Sequence, residues 1–351
     1  MLETGGEGIN VNPVDRCRGL MVGLGVGNAL GVPQEGWPRH AVEASYPNGI
    51  REIELEPGEP DDDDLAQAII LAEAAIAAGS GDLDIDEIGR RFWVWAEENG
   101  RGIGIQTADV LSLIGGARPR CGLGVGLQAR EPTGLPAVAA ARQVWEESDR
   151  YSAGNGAVMR CAPLAIRWLR DDVALARNTA LSVVTTHADS RCVWSSIVVN
   201  VAVAMLVRGE DVAVSEALKR TRRAAAVLGD SIAGLGVAGA VPETVEDACS
   251  LAALIAPADL ALDGRDMGYT LKAMQVVLWC ATQATDFEEA LVAVVSSGGD
   301  TDTNGAIAGA VLGARFGLTA IPSRWRWRLA EIRPGSETLE ALADRCAAAS
   351  G

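Results

Sequence analysis

Glycine recurs at every fourth residue at 305, 309, 313 and 317, so a helix through this stretch has one face almost without side chains. Such a face admits another helix at close range and lets the segment ahead of it lie deep in the protein. That segment reads Ser297-Gly298-Gly299-Asp300-Thr301-Asp302-Thr303-Asn304, with two carboxylates two residues apart interleaved with hydroxyls. A short loop of this kind can aim alternate oxygen ligands at one hard cation, since magnesium and calcium take oxygen donors. A second stripe of glycines, at 23, 27 and 31, gives another small-residue helix face, and Pro33 then ends that helix just before Glu35. Glu35 reads either as a solvated glutamate at a helix exit or as a proton acceptor at the rim of a site.

Apolar residues elsewhere repeat almost entirely at helical spacing, which predicts an all-α protein, an orthogonal helical bundle whose loops carry the polar groups. Fourteen helices are expected, among them 14–30, 64–78, 105–114, 157–169, 190–207, 212–226 and 303–316. The 351 residues suit one large domain, 14–351, behind a flexible N-terminus, 1–13. The glycine-rich stretches 115–135 and 228–241 read as mobile loops. Trp93 and Trp95, and Trp325 and Trp327, are spaced pairs expected in the core.

A net charge of −17 argues against a general binder of nucleic acid, because that affinity comes mainly from lysine and arginine neutralising phosphates. An anionic ligand would need cations or backbone amides at its site. Seven cysteines without a CxxC pair read as reduced, mostly buried thiols of a cytoplasmic protein. The first residues lack the pattern of a signal peptide. No apolar run is expected to reach the roughly 18 residues that span a bilayer, so no membrane partner is expected.

Further polar groups cluster in four places. Asp61, Asp62, Asp63 and Asp64 open an alanine-rich helix; one or two would cap it, but four adjacent carboxylates repel one another unless a cation compensates. Arg101-Gly102-Ile103-Gly104-Ile105-Gln106-Thr107 is either a plain helix start or a turn presenting amides to an anion. Ser152-Ala153-Gly154-Asn155-Gly156, ahead of Met159-Arg160, is either a capping turn or a loop wrapping a ribose or diphosphate, with Asn155 bonding hydroxyls. His187, after Thr185-Thr186, is one of two histidines and reads as a satisfied structural residue or a site residue, while His40 reads as structural. Asp82, Asp84 and Asp86 read as a solvated turn and cap.

Four segments together resemble the ADP-ribosylglycohydrolase family: Gly27 to Glu35, the aspartate run before Leu65-Ala66-Gln67-Ala68, Gly154 to Arg160, and Gly298 to Gly309. The Thr186-His187 pair falls where that family has one, and the motifs extend over about residues 14–317. The resemblance implies an all-α fold with a central di-metal cleft holding two magnesium ions, with manganese or calcium as alternatives. It carries Asp300, Asp302 and Thr303 over as ligands, together with Asp62, Asp63 and Asp64 from the first cluster; a one-residue slip would bring in Asp61. It implies Glu35 and Asp302 as catalytic groups, and Ser152, Gly154, Asn155, Gly156, His187 and Gly104 as contacts to ADP-ribose. Two departures stand out: Asp62 occupies a position where the family has threonine, and Asn28 one where it usually has aspartate. The implied activity is hydrolytic removal of ADP-ribose from a modified protein or small molecule. A non-catalytic ADP-ribose-binding member of the same fold, and a structural, crystallin-like role, are the alternatives.

Overall fold

The computed structural model describes residues 11–122, 129–252, 254–335 and 337–350. Among them are sixteen α-helices and no β-strand: α1 (Pro13–Gly31), α2 (Arg39–Ser45), α3 (Asp63–Ala77), α4 (Ile85–Glu98), α5 (Ile105–Gly115), α6 (Ala137–Glu147), α7 (Leu164–Arg167), α8 (Asp172–Val184), α9 (Ser190–Val207), α10 (Val214–Gly234), α11 (Glu243–Ala252), α12 (Thr270–Thr282), α13 (Phe287–Val295), α14 (Thr301–Phe316), α15 (Ser323–Ile332) and α16 (Leu339–Ala348). The all-α expectation holds. The expected N-terminal tail falls largely outside the described residues, and so do 123–128 of the 115–135 loop; α1 itself begins at Pro13, capped by Asn12.

The two glycine stripes pack on each other. Helices α1 and α14 run antiparallel, pairing Gly23 with Gly309 and Gly27 with Gly305 so closely that a Cβ on Gly27 would lie 2.5 Å from the Gly305 carbonyl carbon. Backbone therefore meets backbone, and the start of α14 is drawn alongside the end of α1. That contact places Asp300 and Asp302 beside the turn that carries Glu35.

Helix α9 forms the centre of the bundle against α8, α12 and α14. Its 18 residues do reach the length and mean hydropathy, 1.7, of a membrane-spanning helix, contrary to the expectation that no run would. Yet 89 % of them are buried within the protein, so this is the apolar middle of a single contiguous core.

Other differences have local causes. The helix expected over 157–169 is broken into a 3₁₀ turn at Val158–Arg160 and the four residues of α7, because Pro163 has no N–H to continue the ladder. Helix α10 runs on to Gly234 through the expected 228–241 loop, since Leu228 and Ile232 extend its buried face. Helix α15 is not among the fourteen expected segments, although its tryptophan pair is expected on a helix; Arg324-Trp325-Arg326-Trp327-Arg328 alternates charged and apolar residues. Of its two tryptophans only Trp325 enters the core; Trp327 is 74 % exposed, so that pair is not a core pair. Asp84 caps α4 as expected, accepting from the Asp86 and Glu87 amides.

Candidate active site

Two helix N-termini converge on the acidic residues. Asp62 is the N-cap of α3, with Asp63 and Asp64 in its first turn; Asp300 is the N-cap of α14, with Asp302 and Thr303 in its first turn. The positive ends of two helix dipoles thus face the same carboxylates. Ligand oxygens of Asp62, Asp64 and Asp302 all lie within 4.8 Å of one another. Asn155 donates to Asp300 Oδ2 at 2.7 Å.

This cluster is under strain from its own charge. Burial first, and then mutual repulsion, pushes Asp63, Asp64 and Asp302 well above the usual carboxylate range. Burial also raises Asp62, against the opposing effect of Asn28 nearby. Asp62 Oδ2, Asp64 Oδ1 and Asp302 Oδ1 are buried and meet no hydrogen-bond donor among the described residues. Orphaned carboxylate oxygens are costly unless a positive charge compensates them. An all-oxygen, anionic donor set of this kind fits a hard divalent cation.

Asp61 does not join the set. Its carboxylate pairs with Arg333 at 2.7 and 3.0 Å, with only 24 % and 10 % of the two side chains exposed, so it faces away. Asn28 donates to Asp64 Oδ2 at 3.4 Å, and it lies near enough to Asp62 to favour that carboxylate's charged form. The two departures from the family pattern therefore meet in space, an added carboxylate at 62 beside a lost one at 28.

Above the cluster opens a cleft of about 190 Å³. Asp63, Asp300, Asp302 and Thr303 form its floor and Glu35 its rim, while Gly154, Asn155, Gly156, His187 and Gly104 line its other side. Glu35 reaches solvent, yet lost hydration and then Asp300 and Asp62 hold its carboxyl above the usual range. Its turn is stitched to the Gly299 loop by main-chain bonds: Gly36 N donates to Gly299 O at 2.7 Å, and Gly299 N to Trp37 O at 2.8 Å. Ser152 stands one layer back, donating to Gln106 Oε1 at 2.6 Å, and Gln106 lines the cleft in its place.

The residues missed from sequence are those whose role depends on distant partners. Gly102, at φ +74°, sits so close to the cluster that a Cβ would lie 2.8 Å from Asp63 Oδ1, whereas Gly104 has open space around it. Arg160 is fully buried beneath the floor; Nη1 donates to Gln67 Oε1 at 2.5 Å and Nη2 to Thr186 Oγ1 at 2.6 Å. Since guanidinium only donates, the Gln67 amide is turned so that its NH₂ faces Asp63 Oδ2, 3.4 Å away. A lone arginine in the apolar run Val158 to Ile166, and a lone glutamine one turn after Asp63, were the available signals.

The family model for ADP-ribosylglycohydrolases matches residues 10–351. Among relatives, the ADP-ribosyl-[dinitrogen reductase] glycohydrolase of Rhodospirillum rubrum is 26 % identical over 348 residues, covering 94 % of this chain and 97 % of the relative. An ADP-ribosylarginine hydrolase of Pseudomonas putida (strain GB-1) is 24 % identical over 339 residues, covering 95 % and 79 %. A solved structure described as an ADP-ribosylglycohydrolase-related protein complex superposes with a TM-score of 0.68 at 25 % identity, covering 97 % of this chain and 99 % of that one.

Proposed function

The chain belongs to the ADP-ribosylglycohydrolase family, and from that premise we propose that it hydrolyses the bond between the anomeric carbon of ADP-ribose and an acceptor. The acceptor is arginine or another N- or O-linked group, on a protein or a small molecule. The observation that carries the reading is a cluster of three orphaned carboxylate oxygens, of Asp62, Asp64 and Asp302, beneath a cleft that Asp302 lines together with Glu35, a glutamate of raised pKa. Asp62, Asp63, Asp64, Asp300, Asp302 and Thr303 would hold magnesium, with manganese or calcium as alternatives, and a cation there would supply positive charge to the ribose hydroxyls and to water.

Glu35 accepts the proton of the attacking water as positive charge develops at the anomeric carbon. Its raised pKa brings it nearer to neutrality, where a base is both ionised and a competent acceptor. Asp302 flanks it from the floor of the cleft. Asn155 has its NH₂ committed to Asp300, which leaves Oδ1 for a ligand hydroxyl. The Gly154 to Gly156 turn, without side chains at either end, lets a diphosphate approach main chain closely. Local cations and amides thereby offset a net charge of −17. We take 14–351 as the catalytic unit and place the reaction in a reducing, cytoplasmic compartment on the strength of seven free cysteines.

Release of ADP-ribose from mono-ADP-ribosylated arginine and serine peptides, with and without magnesium, tests the proposal in the parent, Glu35→Gln and Asp302→Ala. Release by the parent and its loss in both variants is expected. Tight ADP-ribose binding by calorimetry without release would make the protein a non-catalytic ADP-ribose binder, and neither binding nor release by a folded parent would remove the reading.

A further inference from the structure

Arg160 is a buried cation whose hydrogen-bond partners are neutral. Its guanidinium packs 4.5 Å from the Phe92 ring centroid and donates to Gln67 Oε1, Thr186 Oγ1 and, at 3.4 Å, Ser182 O. Among the described residues none of its hydrogen-bond acceptors is a carboxylate. A cation so placed is costly to bury, and removing its partners elsewhere would be expected to expel it.

One of its hydrogen bonds bears on the state of a neighbour. Thr186 Oγ1 already accepts from Arg160, so its own proton needs an acceptor, and the other partner of that oxygen is His187 Nδ1 at 2.7 Å. Among the described residues Nδ1 is the one hydrogen-bond acceptor recorded for that proton, an arrangement that favours a lone pair on Nδ1 and, in the neutral ring, the proton on Nε2. Burial first, and then the charge of Arg160, pushes the imidazole pKa down to about 3, so the ring is neutral throughout the physiological range. Nε2 has no partner among the described residues and faces the cleft, 3.5 Å from where a Cβ of Gly154 would be and 3.4 Å from that of Gly156.

We propose that Arg160 is a positioning residue: acting through Thr186, it fixes His187 as the Nε2–H tautomer, a neutral donor in the cleft wall for an anionic oxygen of a bound diphosphate. The ligand class rests on the proposed function above; the tautomer does not. A neutral N–H suits a phosphoryl oxygen that is always an acceptor, and the positive charge behind it strengthens the bond without placing a cation against the carboxylate floor. Without the Thr186 hydroxyl, imidazole exchanges between two tautomers, and the one protonated at Nδ1 presents a lone pair to the anion.

With only two histidines, ¹⁵N-histidine labelling with a long-range ¹H–¹⁵N spectrum reads the tautomer directly, His40→Gln assigning the signals. The expected result is an Nε2–H pattern for His187, constant from pH 6 to 8. Thr186→Val keeps the shape and removes the hydroxyl; it should scramble that pattern and weaken binding of ADP-ribose and inorganic diphosphate roughly tenfold, and Thr186→Ser should restore both. Arg160→Met should act in the same direction, and the Thr186 pair decides the matter if that variant fails to fold. An Nδ1–H parent, or an unchanged spectrum in Thr186→Val, overturns the relay. An Nε2–H parent that binds neither probe would leave the relay standing and count against the ligand class alone.

Discussion

Gly27 and Gly305 touch through their backbones: a Cβ on Gly305 would lie 3.0 Å from the Gly27 carbonyl carbon, and one on Gly27 only 2.5 Å from that of Gly305. No rotamer relieves such a clash, so the helices themselves must separate. Gly27→Ala and Gly305→Ala should each cost about 1–3 kcal/mol in urea unfolding. Gly234, the last residue of α10, has nothing within 4 Å of its would-be Cβ. There the same substitution should be neutral or stabilise by up to about 1 kcal/mol. Equal losses at all three sites would mean that the close approach is not what makes α1 and α14 intolerant.

Acid and divalent cations should trade places as stabilisers. Asp63, Asp64 and Asp302 have folded-state pKa values above their unfolded ones. Between the two values the folded protein binds more protons, so the contribution is present below the unfolded pKa and is lost as pH rises through the folded one. In chelator, this cluster should therefore lower Tm between pH 5 and pH 7.5, and magnesium should raise Tm more at pH 7.5. Glu97 contributes with the opposite sign: its carboxylate, 0 % exposed, is held below the usual range by Arg130 and Arg120, and its share is lost only as pH falls through that lowered value. A Glu97→Gln background should leave the magnesium-dependent difference intact.

Positions 28 and 62 should be coupled. Asn28→Asp would set another carboxylate against Asp62 and Asp64, lowering the stability of metal-free protein, and Asp62→Thr should relieve it. A double-mutant cycle on unfolding free energy is expected to give a coupling of about 0.5–3 kcal/mol. Additive effects would show that the two side chains do not share a site.

Asp61 and Asp302 should separate cleanly in titration calorimetry with magnesium. Asp61→Asn removes the Arg333 ion pair and should cost stability while changing cation affinity by less than about threefold. Asp302→Asn should weaken it by more than about tenfold. The reverse order would shift the ligand run by one residue.

The architecture and the site were visible in the chain to different depths. Glycine at every fourth position and Asp300-Thr301-Asp302-Thr303 carry their meaning locally, in period and donor type, so α1, α14 and the acidic floor could be anticipated. That the two glycine faces meet each other is a tertiary fact with no local mark. Arg324 to Arg328 alternates because one side of α15 rests on the core while its arginines pair with Glu288 and Glu331, a helix with the rhythm of a strand. Gly102 and Gly104 are indistinguishable as letters, and only the position of Asp62 and Asp63 in space separates them. Arg160, Gln67 and Thr186 act through one another across intervals of 93 and 26 residues, which no spacing rule connects.

The main-chain bonds between the Glu35 turn and the Gly299 loop make one jaw of the cleft a single piece. Glu35 and the acidic floor are thereby tied to one backbone unit. Accommodation then falls to the facing jaw, where Ile105 is 84 % exposed at the start of α5 and Tyr151 is 84 % exposed beside the Ser152 turn. On the proposed function, breadth of acceptor and speed of the hydrolytic step would fall to opposite sides of the cleft, so that selection for a new acceptor could reshape the one without detuning the other.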